Sequence, residues 1–330
     1  MSKFVKLLLI TLIGSISSGC ERNSLEDLAP PEVSGPIVSS MIPEYDDDIA
    51  PAVLATDGQV VWDLSEYPAT IIDFYLVRNS ENVQRIPWCT STLVGESVLL
   101  TAAHCVDAED AAKPTATRKP RLGVNGNEYT FTCEMFPEYS SAPVSSLRSV
   151  LDIALCFLDG DREAQLYSDI STLRNRADIY ESMRLDFDET TVDYDVSTNI
   201  AGGYGCYYTI DGQGRMVENK GDGRYRVGNV EIDPINNTID PRYLYSQSNV
   251  GDGRVDICQG DSGGPLYFHD NGGARTIVGV NSGNKVRKFN HISVYTDFTQ
   301  SYIAQWIQDW AMDHAVEICG VTSNSQNCIN

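Results

Sequence analysis

The stretch Cys258-Gln-Gly-Asp-Ser262-Gly-Gly-Pro-Leu266 gathers Gly260, Gly263 and Gly264 around one serine and sets an acid directly before it. A serine hydroxyl is a poor nucleophile near neutral pH unless a base takes its proton and fixed donors receive the oxyanion that its attack creates. Gly260 frees the backbone to turn its own N–H and that of Ser262 toward one point, while Gly263 and Gly264 leave room for an incoming main chain. Taken alone, Gly-x-Ser-x-Gly also fits a strand-to-helix nucleophile elbow, in which the acid and base follow the serine. The rest of the chain decides between the two.

His269, His291 and His314 follow Ser262, none in a context that recommends it as a base. Upstream stand Thr101-Ala-Ala-His104-Cys105 and then Leu151-Asp152-Ile-Ala-Leu155. His104 ends an apolar run one residue before a cysteine. Asp152 opens another apolar run, where burial would be costly without hydrogen-bond donors around it. The order His, Asp, Ser departs from the elbow arrangement. These three segments resemble the trypsin and chymotrypsin family of serine endopeptidases, over about residues 60 to 311. The resemblance implies an all-β fold of two antiparallel six-stranded β-barrels with a C-terminal helix. It also implies His104 as general base, Asp152 as its orienting acid, Ser262 as nucleophile, and the N–H groups of Gly260 and Ser262 as the oxyanion hole. That chemistry requires no cofactor and no metal.

Asp256, six residues before Ser262, falls where the family forms the floor of its primary specificity pocket. A carboxylate there selects Arg or Lys side chains and rejects apolar ones, so the implied substrates are proteins or peptides with Arg or Lys before the scissile bond. Gly279-Val-Asn-Ser282-Gly283-Asn284 resembles one pocket wall, with Asn284 where trypsin-like members carry glycine. Ser293 replaces a second wall glycine, and both side chains are expected to narrow the pocket. The family's usual activation frees a hydrophobic N-terminus whose ammonium pairs with the acid before the serine, here Asp261. No Ile-Val-Gly-Gly follows a basic residue, and Ile37-Val-Ser-Ser40 and Ile49-Ala50 are the nearest approaches.

Of nine cysteines, all but Cys20 make an even set of eight, which in an exported chain suggests four disulfides. Counting leaves their connectivity open. The resemblance pairs Cys89 with Cys105 across the loop that carries His104. Cys133 with Cys156 would join strands flanking Asp152, Cys206 with Cys258 would tie the serine loop, and Cys319 with Cys328 would staple the tail.

Lys3 and Lys6, an apolar run over 7–13 and small residues before Cys20 read as a secretory leader over 1–20. Its Ser17-Ser18-Gly19-Cys20 end resembles the lipobox of bacterial lipoproteins, which implies acylation of Cys20 and anchoring to the cell envelope, or else secretion after an ordinary leader cut. Residues 21–59, rich in proline, serine and acids, read as a tether or propeptide. A protease domain over 60–311 and a disulfide-closed tail over 312–330 complete the expected organisation. The formal net charge of −22 argues against nucleic acid or an anionic membrane as partner, and a monomer is expected.

Short apolar or alternating runs over 70–77, 97–102, 129–133, 153–158 and 226–232 predict antiparallel strands. The pattern 266–268, Asp270-Asn-Gly-Gly273, 276–280 predicts a hairpin. Ile303, Trp306, Ile307, Trp310, Ala311 and His314 share helical spacing and predict one amphipathic C-terminal helix. The acidic segment 163–196, without clear period, reads as the connection between barrels. The stretches 211–214 and 221–223 lack a full calcium ligand set and read as turns, and Asn236-Asn237-Thr238 matches a glycosylation acceptor but, behind a bacterial-type leader, reads as a turn. Two readings from outside peptide-bond hydrolysis stay open: a binding or regulatory module that keeps the fold without catalysis, and an esterase using the same three residues.

Overall fold

The computed structural model describes residues 59–329 apart from 62, 79–82, 108–120, 125–126, 140–150, 187–198, 206, 211–215, 220–223, 233–242, 250–254, 271–273 and 288–289. The leader with Cys20, nearly all of the tether, Cys206 and the three turn-like stretches therefore lie outside the described residues.

Two curled antiparallel sheets carry the fold. After the two-residue β1 (Gln59–Val60), the first sheet is built from β2 (Thr70–Arg78), β3 (Val83–Leu93), β4 (Val98–Thr101), β5 (Arg121–Val124), β6 (Asn127–Met135) and β7 (Ala154–Leu158). Their order is β2-β3-β4-β7-β6-β5, and the outer strands β2 and β5 come back together to close it. In β6 the alternation puts Tyr129 and Phe131 inward and leaves Thr130 and Thr132 partly exposed, as a strand with one wet face requires. All four residues of β4 are buried, because this strand lies between β3 and β7. Leu93, Leu99, Val124, Tyr129, Phe131 and Leu158 fill the interior. The β2–β3 register shifts at Asp73/Phe74, where Trp88 is the extra residue beside Pro87, which has no N–H to give the ladder.

A linker containing the helix Glu163–Arg174 and β8 (Tyr180–Glu181) leads to the second sheet. That sheet takes β9 (Asn199–Gly203), then, past the separate hairpin β10 (Tyr207–Ile210) and β11 (Met216–Asn219), β12 (Arg226–Asn229), β13 (Tyr243–Asn249), β14 (Pro265–His269), β15 (Arg275–Arg287) and β16 (Asn290–Asp297). Its order, β1-β12-β9-β14-β15-β16-β13, counts seven strands where six are expected. The seventh is β1, which lies along β12 with Val60 opposite Arg226 and is too short to leave a periodic signature in the sequence. Ala201, Leu244, Leu266, Val278 and Tyr295 are among its core.

The sequence pattern also gave no sign of the helix Glu163–Arg174. Only Leu166 and Ile170 on it are buried, one turn apart, so there is no apolar stripe to read. The C-terminal helix Ser301–Asp313 buries Ile303, Ile307, Trp310 and Ala311, the predicted face. Family resemblance implies docking on the second barrel, yet this face also meets the first. Trp306 stands edge-on to Phe136 with ring centroids 5.5 Å apart, and the Trp310 indole N–H donates to Glu134 Oε2 at 3.1 Å.

The tail closes on itself through Cys319–Cys328 and adds β17 (Cys328–Ile329) parallel to β8. Beside this junction Arg275 and Glu181 form a buried two-point ion pair at 2.6 and 3.1 Å. The Arg275 guanidinium also lies 4.2 Å over the Tyr67 ring and 5.2 Å from that of Tyr267. Planar stacking and a forked carboxylate are what make burial of such a charge tolerable. Glu181→Ala, which strands that guanidinium, is expected to lower the unfolding free energy by ~3–5 kcal/mol in a denaturant titration.

Candidate active site

The β4–β7 pairing sets Thr101 opposite Ala154, so the residues that leave β4 and those that enter β7 emerge side by side. His104 stands in the single helical turn Ala103–Val106 just past β4, and Asp152 stands just before β7. Asp152 Oδ2 accepts from His104 Nδ1 at 2.6 Å, and its Oδ1 accepts the His104 backbone N–H at 2.8 Å. A carboxylate that accepts from Nδ1–H favours the tautomer with the lone pair on Nε2, the one that a base needs. A third donor is the Ser282 hydroxyl, 2.7 Å from Asp152 Oδ2. Ser282 is the extra residue where the β15–β16 register shifts between Asn281 and Gly283, and this bulge aims its side chain out of the ladder. The sequence reading assigns Ser282 to a pocket wall. In the structure its hydroxyl is committed to Asp152, which is only 3 % exposed.

Ser262 lies in the turn between Cys258 and β14, and Gly260 and Gly263 within that turn have φ of 102° and 80°. A side chain would strain both positions, and at Gly263 a Cβ would also fall 2.2 Å from Thr101 Oγ1 and 2.3 Å from the Thr90 carbonyl. Thr90 of β3 anchors the turn to the first barrel. Its N–H donates to the Ser262 carbonyl at 2.8 Å, and its hydroxyl donates to the Gly260 carbonyl at 2.7 Å. The same hydroxyl accepts the Tyr204 N–H at 3.0 Å. Nothing in the motif announced Thr90, which sits beside Cys89 but 170 residues before the glycine it holds.

Cys105 Sγ lies 3.7 Å from His104 Nε2 and 3.7 Å from the Ser262 carbonyl oxygen, so the imidazole and the Ser262 backbone flank one disulfide. The Ser262 hydroxyl is buried and makes no hydrogen bond among the described residues. The N–H groups of Gly260 and Ser262 likewise donate none of the described hydrogen bonds. Cys89, His104 and Cys105 bring three ligand atoms close together, but both sulfurs are joined to each other and neither is a thiolate.

Asp256 is 1 % exposed. Asn284 and Ser293 sit opposite each other in the β15–β16 ladder. Both bind the residue next to Asp256: Asn284 Nδ2 donates to the Ile257 carbonyl, and the Ile257 N–H donates to Ser293 Oγ at 3.0 Å. Cys133–Cys156 bridges directly paired residues of β6 and β7. Cys258 is also disulfide-bonded, and its expected partner Cys206 lies outside the described residues.

Residues 75–307 match the family model for Trypsin. One curated relative is transmembrane protease serine 5 of Homo sapiens, 42 % identical over 62 residues, which are 19 % of this chain and 13 % of that protein. The chain thus spans a small part of that relative's length. The family model covers most of the chain, and the protein belongs to the trypsin family of serine proteases.

Proposed function

We propose that the chain is an active serine endopeptidase that hydrolyses peptide bonds after Arg or Lys. The observation that carries this reading is the buried Asp152 carboxylate with its three donors, two from His104 and one from Ser282. A scaffold without chemistry has no need of an imidazole oriented in this way. In the proposed cycle His104 Nε2 takes the proton of Ser262 Oγ as that oxygen attacks the substrate carbonyl. The oxyanion is received by the N–H groups of Gly260 and Ser262, and loss of one such donor raises the barrier by ~3 kcal/mol. His104 then returns the proton to the leaving amine, and water repeats the steps in reverse to release the acyl group. Hydrogen bonds of this kind are often long or unmade before substrate arrives, which accommodates the unengaged Ser262 hydroxyl.

Asp256 supplies the preference for a basic side chain, and Asn284 and Ser293, turned toward Ile257, line the approach to it. The leader and the disulfides support export, either lipid-anchored through Cys20 or secreted, and no helix among the described residues is long and apolar enough to cross a membrane. A monomer acting on protein or peptide substrates, with no cofactor, completes the reading. The rival is a regulatory binding module on the same fold, and the observation that favours it is the Ser262 hydroxyl without a partner.

Ser262→Ala is expected to reduce cleavage of arginyl peptides to background, and undiminished cleavage would end the reading of Ser262 as the nucleophile. Asp256→Ser should cost roughly a hundredfold in kcat/KM on arginyl substrates while sparing small apolar ones. An unchanged substrate profile would place the pocket elsewhere. Thr90→Val removes a donor and an acceptor of ~1 kcal/mol each, so kcat should fall roughly tenfold with KM little changed, and Thr90→Ser should restore it.

A further inference from the structure

Residues 315–329 lie beyond the stretch that matches the family model, and the proposed proton transfers make no use of them. They meet both halves of the molecule at one residue. The Cys319 N–H donates to the Val94 carbonyl at 2.8 Å, and the Cys319 carbonyl accepts the Met183 N–H at 2.8 Å. Val94 stands in the turn between β3 and β4, and β4 runs on to His104. Met183 is bridged in parallel to Ile277 of β15, with the Ile277 N–H on the Ser182 carbonyl at 2.8 Å and the Arg184 N–H on the Ile277 carbonyl at 2.9 Å. Farther along, β15 carries Ser282, the donor to Asp152 from the second sheet. The main-chain groups of Cys319 thus join the strand that leads to the imidazole with the strand that leads to Ser282.

The fit is close on both sides. A Cβ on Gly95 would fall 2.1 Å from the Glu317 carbonyl oxygen, and one on Gly320, whose φ is 79°, would fall 2.1 Å from the Met183 carbonyl oxygen. Backbone meets backbone at each place, which glycine allows. Ile318 packs in the apolar cluster that holds both Val98 of β4 and Ile277 of β15.

The hold on this segment is covalent. Its strand β17 has two residues, too few to stay seated by main-chain pairing alone. Cys319–Cys328 closes the segment on itself, so the entropy of loop closure is removed before it docks. With both cysteines as thiols, the same few hydrogen bonds must offset that entropy. Cys319 and Cys328 are 2 % and 4 % exposed, so once the segment is seated the bridge is shielded from attack by a thiolate.

We propose that Cys319–Cys328 is a redox lock on the fit between the two sheets, and that the protease gains full activity only when this pair has been oxidised. The oxidant is a protein or small-molecule disulfide. One cysteine thiolate attacks it to form a mixed disulfide, and the other displaces the remaining thiol. The S–S bond of the lock forms, that of the oxidant breaks, and two electrons and two protons pass to the oxidant, which leaves as two thiols. In a reducing compartment the pair stays open and the chain is held at low activity. The inference rests on the serine-protease reading. It predicts a loss in kcat rather than in KM, because Asp256, Asn284 and Ser293 all belong to the second half of the molecule. His104 and Asp152 come from the first half and must be aligned with Ser262 across the junction.

The test compares oxidised full-length wild type with Cys319→Ser/Cys328→Ser, each taken intact and after limited proteolysis, at a temperature where near-ultraviolet circular dichroism shows both folded. The double variant should label fully with a fluorophosphonate probe but at least roughly tenfold more slowly, since small misplacements of reacting groups are costly. On an arginyl peptide its kcat should fall while KM stays within about twofold. Gly95→Ala, which keeps every cysteine and presses on Glu317, should reproduce the loss. Wild-type rates in either variant overturn the inference. So does a smaller labelled fraction reacting at the wild-type rate, which is what a merely structural bridge would give. In a second measurement, reduced wild type is reoxidised with glutathione disulfide, trapped by alkylation and typed by mass spectrometry. Reactivity should rise with closure of Cys319–Cys328, and full reactivity in molecules that carry this pair alkylated overturns the inference. If the double variant fails to fold, this time course decides alone. Wild type with the bridge closed that is inert both before and after proteolysis would instead overturn the protease reading itself.

Discussion

The Asp152 carboxylate is the group on which the two barrels depend for their mutual fit. It is nearly inaccessible to water, and its donors come from both sides: the His104 N–H and Nδ1–H from the end of β4, the Ser282 hydroxyl from β15. The Thr296 hydroxyl, from β16, holds the Asp152 carbonyl at 3.1 Å. An unpaired carboxylate in such a place costs several kcal/mol, so a displacement of one barrel that removed Ser282 would be opposed by the desolvated charge itself. The same contacts that orient the imidazole also set the register between the halves of the molecule.

Elsewhere along the junction two other kinds of contact do the joining. Around Thr90 the link is a set of directional main-chain and hydroxyl hydrogen bonds between β3, the serine turn and Tyr204. Around Arg275 it is an aromatic enclosure of Tyr67 and Tyr267 over a buried ion pair, where area and charge act together. The directional contacts lie next to Ser262, and the bulky ones lie around Arg275.

What could be read from the sequence was whatever depends on neighbours along the chain. The strand patterns near residues 70–77, 129–133 and 153–158, the face of the C-terminal helix and the motifs around His104, Asp152 and Ser262 are local signals, and the corresponding elements occur where they were expected. Features that depend on partners distant in sequence were invisible. The Thr90 hydroxyl is unremarkable until β3 lies against Gly260. The bond from the Ser282 hydroxyl to Asp152 has no sign in the sequence, because it depends on the β15 bulge. The seventh strand and the helix Glu163–Arg174 were missed for lack of a repeating apolar signal, since β1 has two residues and the helix buries only two side chains. Docking of the C-terminal helix on the first barrel follows from Glu134 and Phe136, which nothing near residue 306 can announce.

The parallel pairing of β17 with β8 has a consequence for how the molecule matures. Among the described residues the linker strand at Tyr180–Glu181 pairs with Cys328–Ile329 alone, and the Ile179 and Tyr180 N–H groups both rest on the Asn327 carbonyl. Chains emerge from the ribosome amino end first, and each barrel can begin to collapse as its own strands appear. The linker strand gains this partner only once residues 327–329 have been made, after the strands of both sheets. A ribosome that stalls shortly before that point would release a protein with Ser262 already synthesised and the linker strand still without that partner.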